Sequence, residues 1–399
     1  VTKKFIVIGA SAASMSFMAK LRSFDTESEI ICFSGENYLP YNRCLLADFM
    51  TEEKTFADIL LKPAQFFKEY AITLRLQTWI TQINRQEKVV VCQNGHEESY
   101  DYLFVGTGTY PFVPPIQGNN LPGVFSFHAF ADVDALDTFI HDERPKNVIV
   151  VGAGINGIEA AHALVERGLH VTIVDMFDQI MPLQVDSQAA AFIQEQMVKQ
   201  GVVVVKGQRV VALETRQKKS VGRVVFESGA CMPTDCVVFA TGCRLNSKLV
   251  QDADLATQFG SLVVNDQMQT SDLFIYAGGD ICRAKDMVTG DVVQSVTWSD
   301  AMLQGLTAAT QLSDAPRKYP GIVGLRDSYF FGYEFYGCGQ TTDVEMFDVV
   351  QVHTKDFLHK FYLFDGVLQG FILIGNVTNV GKYKTMYMTK QKIERSDLV

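Results

Sequence analysis

An α/β fold with two Rossmann-like units and a small α+β C-terminal domain is predicted by three features of this 399-residue chain. A strand, a glycine turn and a helix lie at the N-terminus. A second such unit begins at Asn147, and aromatic strand patterns take over after about residue 322.

The first unit starts with the apolar run Phe5–Ile8, short enough for a buried strand. Gly9-Ala10-Ser11-Ala12-Ala13-Ser14 follows, and the residues from Met15 to Leu21 favour a helix. The turn is a degenerate G-x-G-x-x-G pattern with Ser11 and Ser14 in place of glycines. Small residues there let backbone amides at a helix N-terminus approach a pyrophosphate, which makes Gly9, Ala10, Ser11 and Ala12 candidate binding residues. The run at Phe5–Ile8 is too short for a signal-peptide core, so a cytoplasmic location is expected.

The second unit is complete. Asn147–Val151 is strand-like, Gly152-Ala153-Gly154-Ile155-Asn156-Gly157 satisfies every glycine of the pattern, a helix is expected from Ile158 to Arg167, and Gly168 ends it. The next strand, Val171–Val174, runs into Asp175, at the spacing of about 20 residues where a carboxylate meets a ribose hydroxyl. A carboxylate repels a 2′-phosphate, and Met176-Phe177 supply no arginine to offset it, so NADH is expected over NADPH. Two such units in one chain imply two dinucleotides, a nicotinamide donor and a resident flavin.

Composition suits a soluble globular protein: 47% hydrophobic and 20% charged residues. No apolar stretch approaches the length of a membrane-spanning helix. A net charge of −10 argues against nucleic acid as a partner. The eight cysteines show neither a disulfide framework nor zinc-ligand spacing, so no metal is expected.

Further segments make the chain resemble the two-dinucleotide flavoproteins that include rubredoxin reductases, ferredoxin reductases, NADH oxidases and coenzyme A disulfide reductases. Glu36-Asn37-Tyr38-Leu39-Pro40-Tyr41-Asn42-Arg43 is similar to that family's E-x-x-x-P-Y-x-R segment, which implies FAD contacts for Glu36 and Arg43. Leu103–Gly108 and Val237–Gly242 each end a strand in Thr-Gly and resemble the two crossings between an FAD and an NADH domain. Thr107 and Gly108 are thereby assigned to FAD and Gly242 to NADH. Thr270–Asp280 resembles the second FAD motif, with Asp280 on the ribityl chain. Thr297–Gly305 resembles T-W-S-N-A-x-x-Q-G, which puts Trp298 beside the flavin at a helix N-terminus. Glu159, just after the second glycine turn, takes the position of a glutamate that meets the nicotinamide carboxamide.

The resemblance implies an FAD-binding domain over 1–112 and 243–321, an NADH-binding domain inserted at 113–242, and a C-terminal domain at 322–399 in which Asp365-Gly366 turns a hairpin. It implies hydride transfer from NADH, bound at Gly152, Gly154, Gly157 and Asp175, to FAD, and then electron transfer to a small iron–sulfur protein of rubredoxin or ferredoxin type. Candidate catalytic residues are Glu159, Trp298 and Cys44.

Cys44 falls where NADH oxidases and coenzyme A disulfide reductases carry a redox cysteine and where the other branches carry proline. Asp48 replaces a lysine common in the proline branch. The alternatives are therefore an oxidase or disulfide/persulfide reductase working through Cys44, or a flavin-bound redox sensor. Cys231 and Cys236 have C-x-x-x-x-C spacing but lie in an expected hairpin, away from the FAD motifs, and are read as packing residues. The chain is expected to act as a monomer or homodimer, with no membrane partner.

Overall fold

The computed structural model describes residues 2–215, 220–342 and 344–398. It divides into two compact units, one of Val1–Cys44, Phe56–Tyr110 and Arg244–Gly324, the other of Leu45–Thr55, Pro111–Cys243 and Leu325–Val399.

In the first unit the apolar run becomes the strand Lys4–Ile8, its last four residues buried. It lies at the centre of a parallel sheet whose strand order is Ile275–Ala277, Tyr102–Val105, Lys4–Ile8, Glu29–Phe33, Ile72–Arg75. Val7 pairs with Cys32 on one side and Phe104 on the other. Strands buried on both faces read as continuous apolar runs, which is why periodicity two is absent here. The helix Ala12–Arg22 starts three residues before the expected Met15, because Ser11 already serves as N-cap and the turn residues themselves are helical.

A second helix, Trp298–Thr310, packs on Ala12–Arg22 so closely that a Cβ on Gly305 would lie 1.9 Å from the Ala13 carbonyl oxygen. Only glycine permits this backbone approach.

The second unit repeats the design. Its parallel sheet runs Val203–Val205, His170–Val174, Asn147–Val151, Cys236–Phe239, Val124–Ser126. The helix Ile155–Glu166 again begins inside the glycine turn. This unit also holds an antiparallel five-stranded sheet in the order Arg326–Phe330, Tyr333–Gly339, Val367–Ile374, Leu358–Phe364, Asp348–His353. Asp365 and Gly366 both have positive φ (50° and 76°), as a two-residue hairpin of primed type requires.

From that sheet the buried Lys360 ammonium reaches the Asp186 carboxylate and the Gln188 side chain, and the Tyr362 hydroxyl donates to Asp186 at 2.9 Å. Asp186 also caps the helix Ser187–Lys199 by accepting from the Ala189 amide. One carboxylate thus ties the antiparallel sheet to a helix of the parallel layer.

Gly305→Ala is expected to destabilise the protein by about 1–3 kcal/mol, the usual cost of overpacking a tight contact, measured as a lower midpoint in urea. Lys360→Met is expected to cost about 3–5 kcal/mol, because it leaves Asp186 buried without its counter-charge. Unchanged midpoints would contradict these two readings of the packing.

Candidate active site

Strand order decides which motifs meet. In the first unit Gly9 follows the central strand, Thr107-Gly108 follows its neighbour Tyr102–Val105, and Gly278-Gly279-Asp280 follows the strand beyond that. Glu36 follows Glu29–Phe33 on the other side. All four sequence-predicted segments therefore leave the carboxyl edge of one parallel sheet, where open α/β sheets bind ligands.

Gly9 has φ +93°, and a Cβ there would sit 2.2 Å from the Gly106 carbonyl oxygen. Ser14, in place of the usual third glycine, is accommodated because residue 106 is glycine: a Cβ at 106 would lie 2.4 Å from Ser14 Oγ. That Oγ is buried and has no hydrogen-bond partner among the described residues. Ser11 caps its helix without a side-chain hydrogen bond, so the first amides stay available to an anion.

Around this edge the polar groups are preset. Glu36 accepts the Tyr41 hydroxyl at 2.8 Å and pairs with the Arg43 guanidinium, which also lies over the Tyr41 ring. Burial pushes the Asp280 carboxyl up to about 6, while the Arg43 charge opposes the shift. Asn246 locks the Thr107-Gly108 turn, donating from its side chain to the Thr107 carbonyl at 2.8 Å and from its amide to the Gly108 carbonyl at 3.0 Å. The Gly279 amide donates to buried Gln304 at 2.7 Å.

Trp298 opens the long helix and packs half-buried on the core. Two residues on, Asp300 stands where the resemblance has asparagine. Its two oxygens accept from the Thr297 hydroxyl (2.5 Å), the amides of Val323 (3.3 Å) and Gly324 (3.2 Å), and the Tyr319 hydroxyl (3.4 Å). Both oxygens are used as acceptors, a task asparagine could do with only one.

Cys44 is exposed, in the turn Arg43–Leu45, and its amide donates to Asn42 at 3.0 Å. Cys231 is exposed whereas Cys236 is buried in a parallel strand, and Cys282 is buried with its thiol pushed strongly up by burial.

The second unit shows the same edge. Gly152, Asp175 and Gly242 follow three adjacent parallel strands. A Cβ on Gly152 (φ +108°) would lie 2.4 Å from the Ala240 carbonyl oxygen, and one on Gly157 would lie 1.9 Å from that of Gly152. Gly154, by contrast, faces open space and caps its helix without a side-chain bond. The glycines thus shape a cradle at a helix N-terminus that carries no side-chain cap, the kind of site that suits a pyrophosphate. Gly242 accepts from the Phe112 amide at 2.9 Å.

Asp175 does more than sequence spacing suggested. It is 8% exposed and accepts the Ala153 amide at 2.6 Å and the Phe177 amide at 2.9 Å, so it braces the glycine turn from below. Glu159 accepts a hydrogen bond from the Ser328 hydroxyl at 2.5 Å, a partner that local pattern could not reveal because it lies far along the chain. Burial pushes the Glu159 carboxyl up to about 7. The Ser328 bond opposes this, and the charges of Asp327 and Asp48 add to it.

Among the described residues no helix is long and apolar enough to cross a membrane. Residues 3–305 match the pyridine nucleotide-disulphide oxidoreductase family. The chain is 30% identical to the NADH oxidase of Methanocaldococcus jannaschii over 342 residues, 84% of this chain and 76% of that one. Its fold is similar to the reduced CoADR-RHD of Bacillus anthracis, with a TM-score of 0.91 and 26% identity over 98% of this chain and 75% of that one. It is also similar in fold to the NADH:rubredoxin oxidoreductase of Clostridium acetobutylicum, with a TM-score of 0.80 and 21% identity over 99% and 97% of the two chains. With the glycine turns, the sheet order and the family match in agreement, the chain belongs to the pyridine nucleotide-disulphide oxidoreductase family, whose members use FAD and NAD(P)H.

Proposed function

We propose that this protein oxidises NADH, in preference to NADPH, through bound FAD, and delivers the electrons to a small iron–sulfur protein, with rubredoxin the first candidate. The observation that carries this reading is the duplicated edge: two parallel sheets, each presenting a glycine turn with uncapped helix amides and an acidic residue one or two strands away.

Residues 1–112 and 243–321 would bind FAD, 113–242 would bind NADH, and 322–399 would form a small C-terminal domain. Gly9, Ala10, Ser11 and Ala12 would hold the FAD pyrophosphate, and Ser14 Oγ is a spare buried donor beside them. Glu36, kept in place by Tyr41 and Arg43, would take the adenosine ribose, and Asp280 the ribityl hydroxyls. Trp298, with Thr107 and Gly108, would border the ring system. FAD, when bound, would take the two electrons of a hydride and release them singly. Gly152, Gly154, Gly157 and Gly242 would hold the NADH backbone, Asp175 its ribose, and Glu159 its carboxamide. Position and electrostatics suffice for these residues, because hydride transfer between two such rings needs no protein acid or base. A cytoplasmic setting, where NADH is the working reductant, goes with this reading.

One observation favours a second reading. The Cys44 thiol is exposed on the turn that closes the Glu36–Arg43 segment, so electrons could leave through it to oxygen, a disulfide or a persulfide.

Steady-state oxidation with rubredoxin, ferredoxin, oxygen and coenzyme A disulfide as acceptors, on wild type and Cys44→Ser, separates the two. The iron–sulfur reading expects the highest kcat/KM with rubredoxin or ferredoxin and little change in the variant. Loss of about a hundredfold in disulfide reduction, with iron–sulfur proteins poor acceptors, would establish the cysteine route instead. Rapid-mixing reduction of the flavin is expected to favour NADH over NADPH by about tenfold or more, since a 2′-phosphate would meet the Asp175 carboxylate. Equal rates would contradict that role for Asp175.

A further inference from the structure

We propose that Ser328 is a positioning residue for the nicotinamide end of the dinucleotide: from the first strand of the antiparallel sheet, its hydroxyl holds the Glu159 carboxylate in the orientation in which it meets the carboxamide. This rests on the reading that the Gly152–Gly157 turn binds a nicotinamide dinucleotide.

The strand Arg326–Phe330 lies along one face of the helix Ile155–Glu166. Ser328 Oγ donates to Glu159 Oε1 at 2.5 Å, and the rings of Tyr329 and Phe331 meet His162, one turn further along, with centroids 5.9 and 5.2 Å away. Ser328 is itself fixed by the ladder, paired with Phe335 in the next strand. The hydroxyl is therefore delivered by rigid backbone to a carboxylate that would otherwise swing on a flexible stem. A hydroxyl can donate to a carboxylate or accept from a carboxylic acid, so it restrains Glu159 in both protonation states.

The charged groups around Glu159 make the contact matter. Asp327 from the same strand and Asp48 from the helix Leu46–Met50 both repel its negative charge. His162 on its own helix is held towards neutrality by burial, despite nearby Glu166, Glu53 and Asp48, and its Nδ1 is buried without a hydrogen-bond partner among the described residues. The Ser328 hydrogen bond is the interaction that favours the ionised form against burial and these carboxylates.

Binding of NAD+ and of ADP-ribose, which lacks the nicotinamide, is measured by calorimetry on the purified full chain from below to above neutral pH. Wild type, Ser328→Ala, Ser328→Thr and Glu159→Gln are compared. Glu159 holds its proton up to about pH 7. In the wild type the ratio of NAD+ to ADP-ribose affinity should therefore rise through a midpoint near neutrality, as the carboxylate forms to face the cationic ring. Losing a hydrogen bond to the charged form moves the midpoint up by about one pH unit in Ser328→Ala, and Ser328→Thr restores it. ADP-ribose affinity stays constant in all of them. Ser328→Ala with a wild-type midpoint, while Glu159→Gln abolishes the pH dependence, overturns the role of Ser328 and leaves the dinucleotide reading standing. A ratio indifferent to Glu159→Gln likewise overturns the proposal and leaves the dinucleotide reading standing, whereas failure of both NAD+ and ADP-ribose to bind overturns that underlying reading.

Discussion

The structure depends on backbone approaching backbone more closely than any side chain permits. At Gly9 and Gly152 the chain leaves a central strand at positive φ and passes the carbonyl of a neighbouring segment at a distance that a Cβ would make impossible. The first turn of each following helix is thereby held at the carboxyl edge of a parallel sheet, with no side-chain cap on its first amides. The same constraint extends outward from each turn. Gly106 leaves room for Ser14, Gly305 lets one helix lie on the backbone of another, and Gly157 closes on Gly152.

Around these turns buried acids are stabilised in several different ways. Asp175 is held by two backbone amides, Asp300 by two hydroxyls and two amides, and Asp186 by a lysine, a tyrosine and a helix N-terminus. Asp280 and Glu159 are different. Burial raises their carboxyls to about 6 and about 7, and each has a single opposing group, Arg43 for one and Ser328 for the other. Asp300 and Asp186 brace the fold, and Asp175 braces the glycine turn on which the proposed ribose contact depends. The last two are held near the point of ionisation, as groups that meet a polar ligand often are.

Much of this was legible in the chain itself. Both glycine turns, the strands at Lys4–Ile8 and Asn147–Val151, the hairpin at Asp365-Gly366 and the fold class followed from local pattern. Membership of the flavoprotein family followed from motifs such as Thr270–Asp280, whose members the strand order then brought to one edge. What local pattern could not supply is pairing across long separations. The bond from Ser328 to Glu159, the Lys360–Asp186 pair and the four donors on Asp300 join segments far apart in sequence. Asp175 is instructive: its spacing pointed to a ribose, but the spacing says nothing of the two amides it already holds. Likewise the segment Leu45–Thr55 packs with the second unit, although its neighbours on both sides belong to the first.

The most direct test of the two-cradle reading is the flavin content of the purified full chain, read from its visible spectrum before and after anaerobic NADH. One FAD per chain, with the oxidised band lost on NADH addition, is the expected result. A colourless protein that cannot be reconstituted with FAD would contradict it.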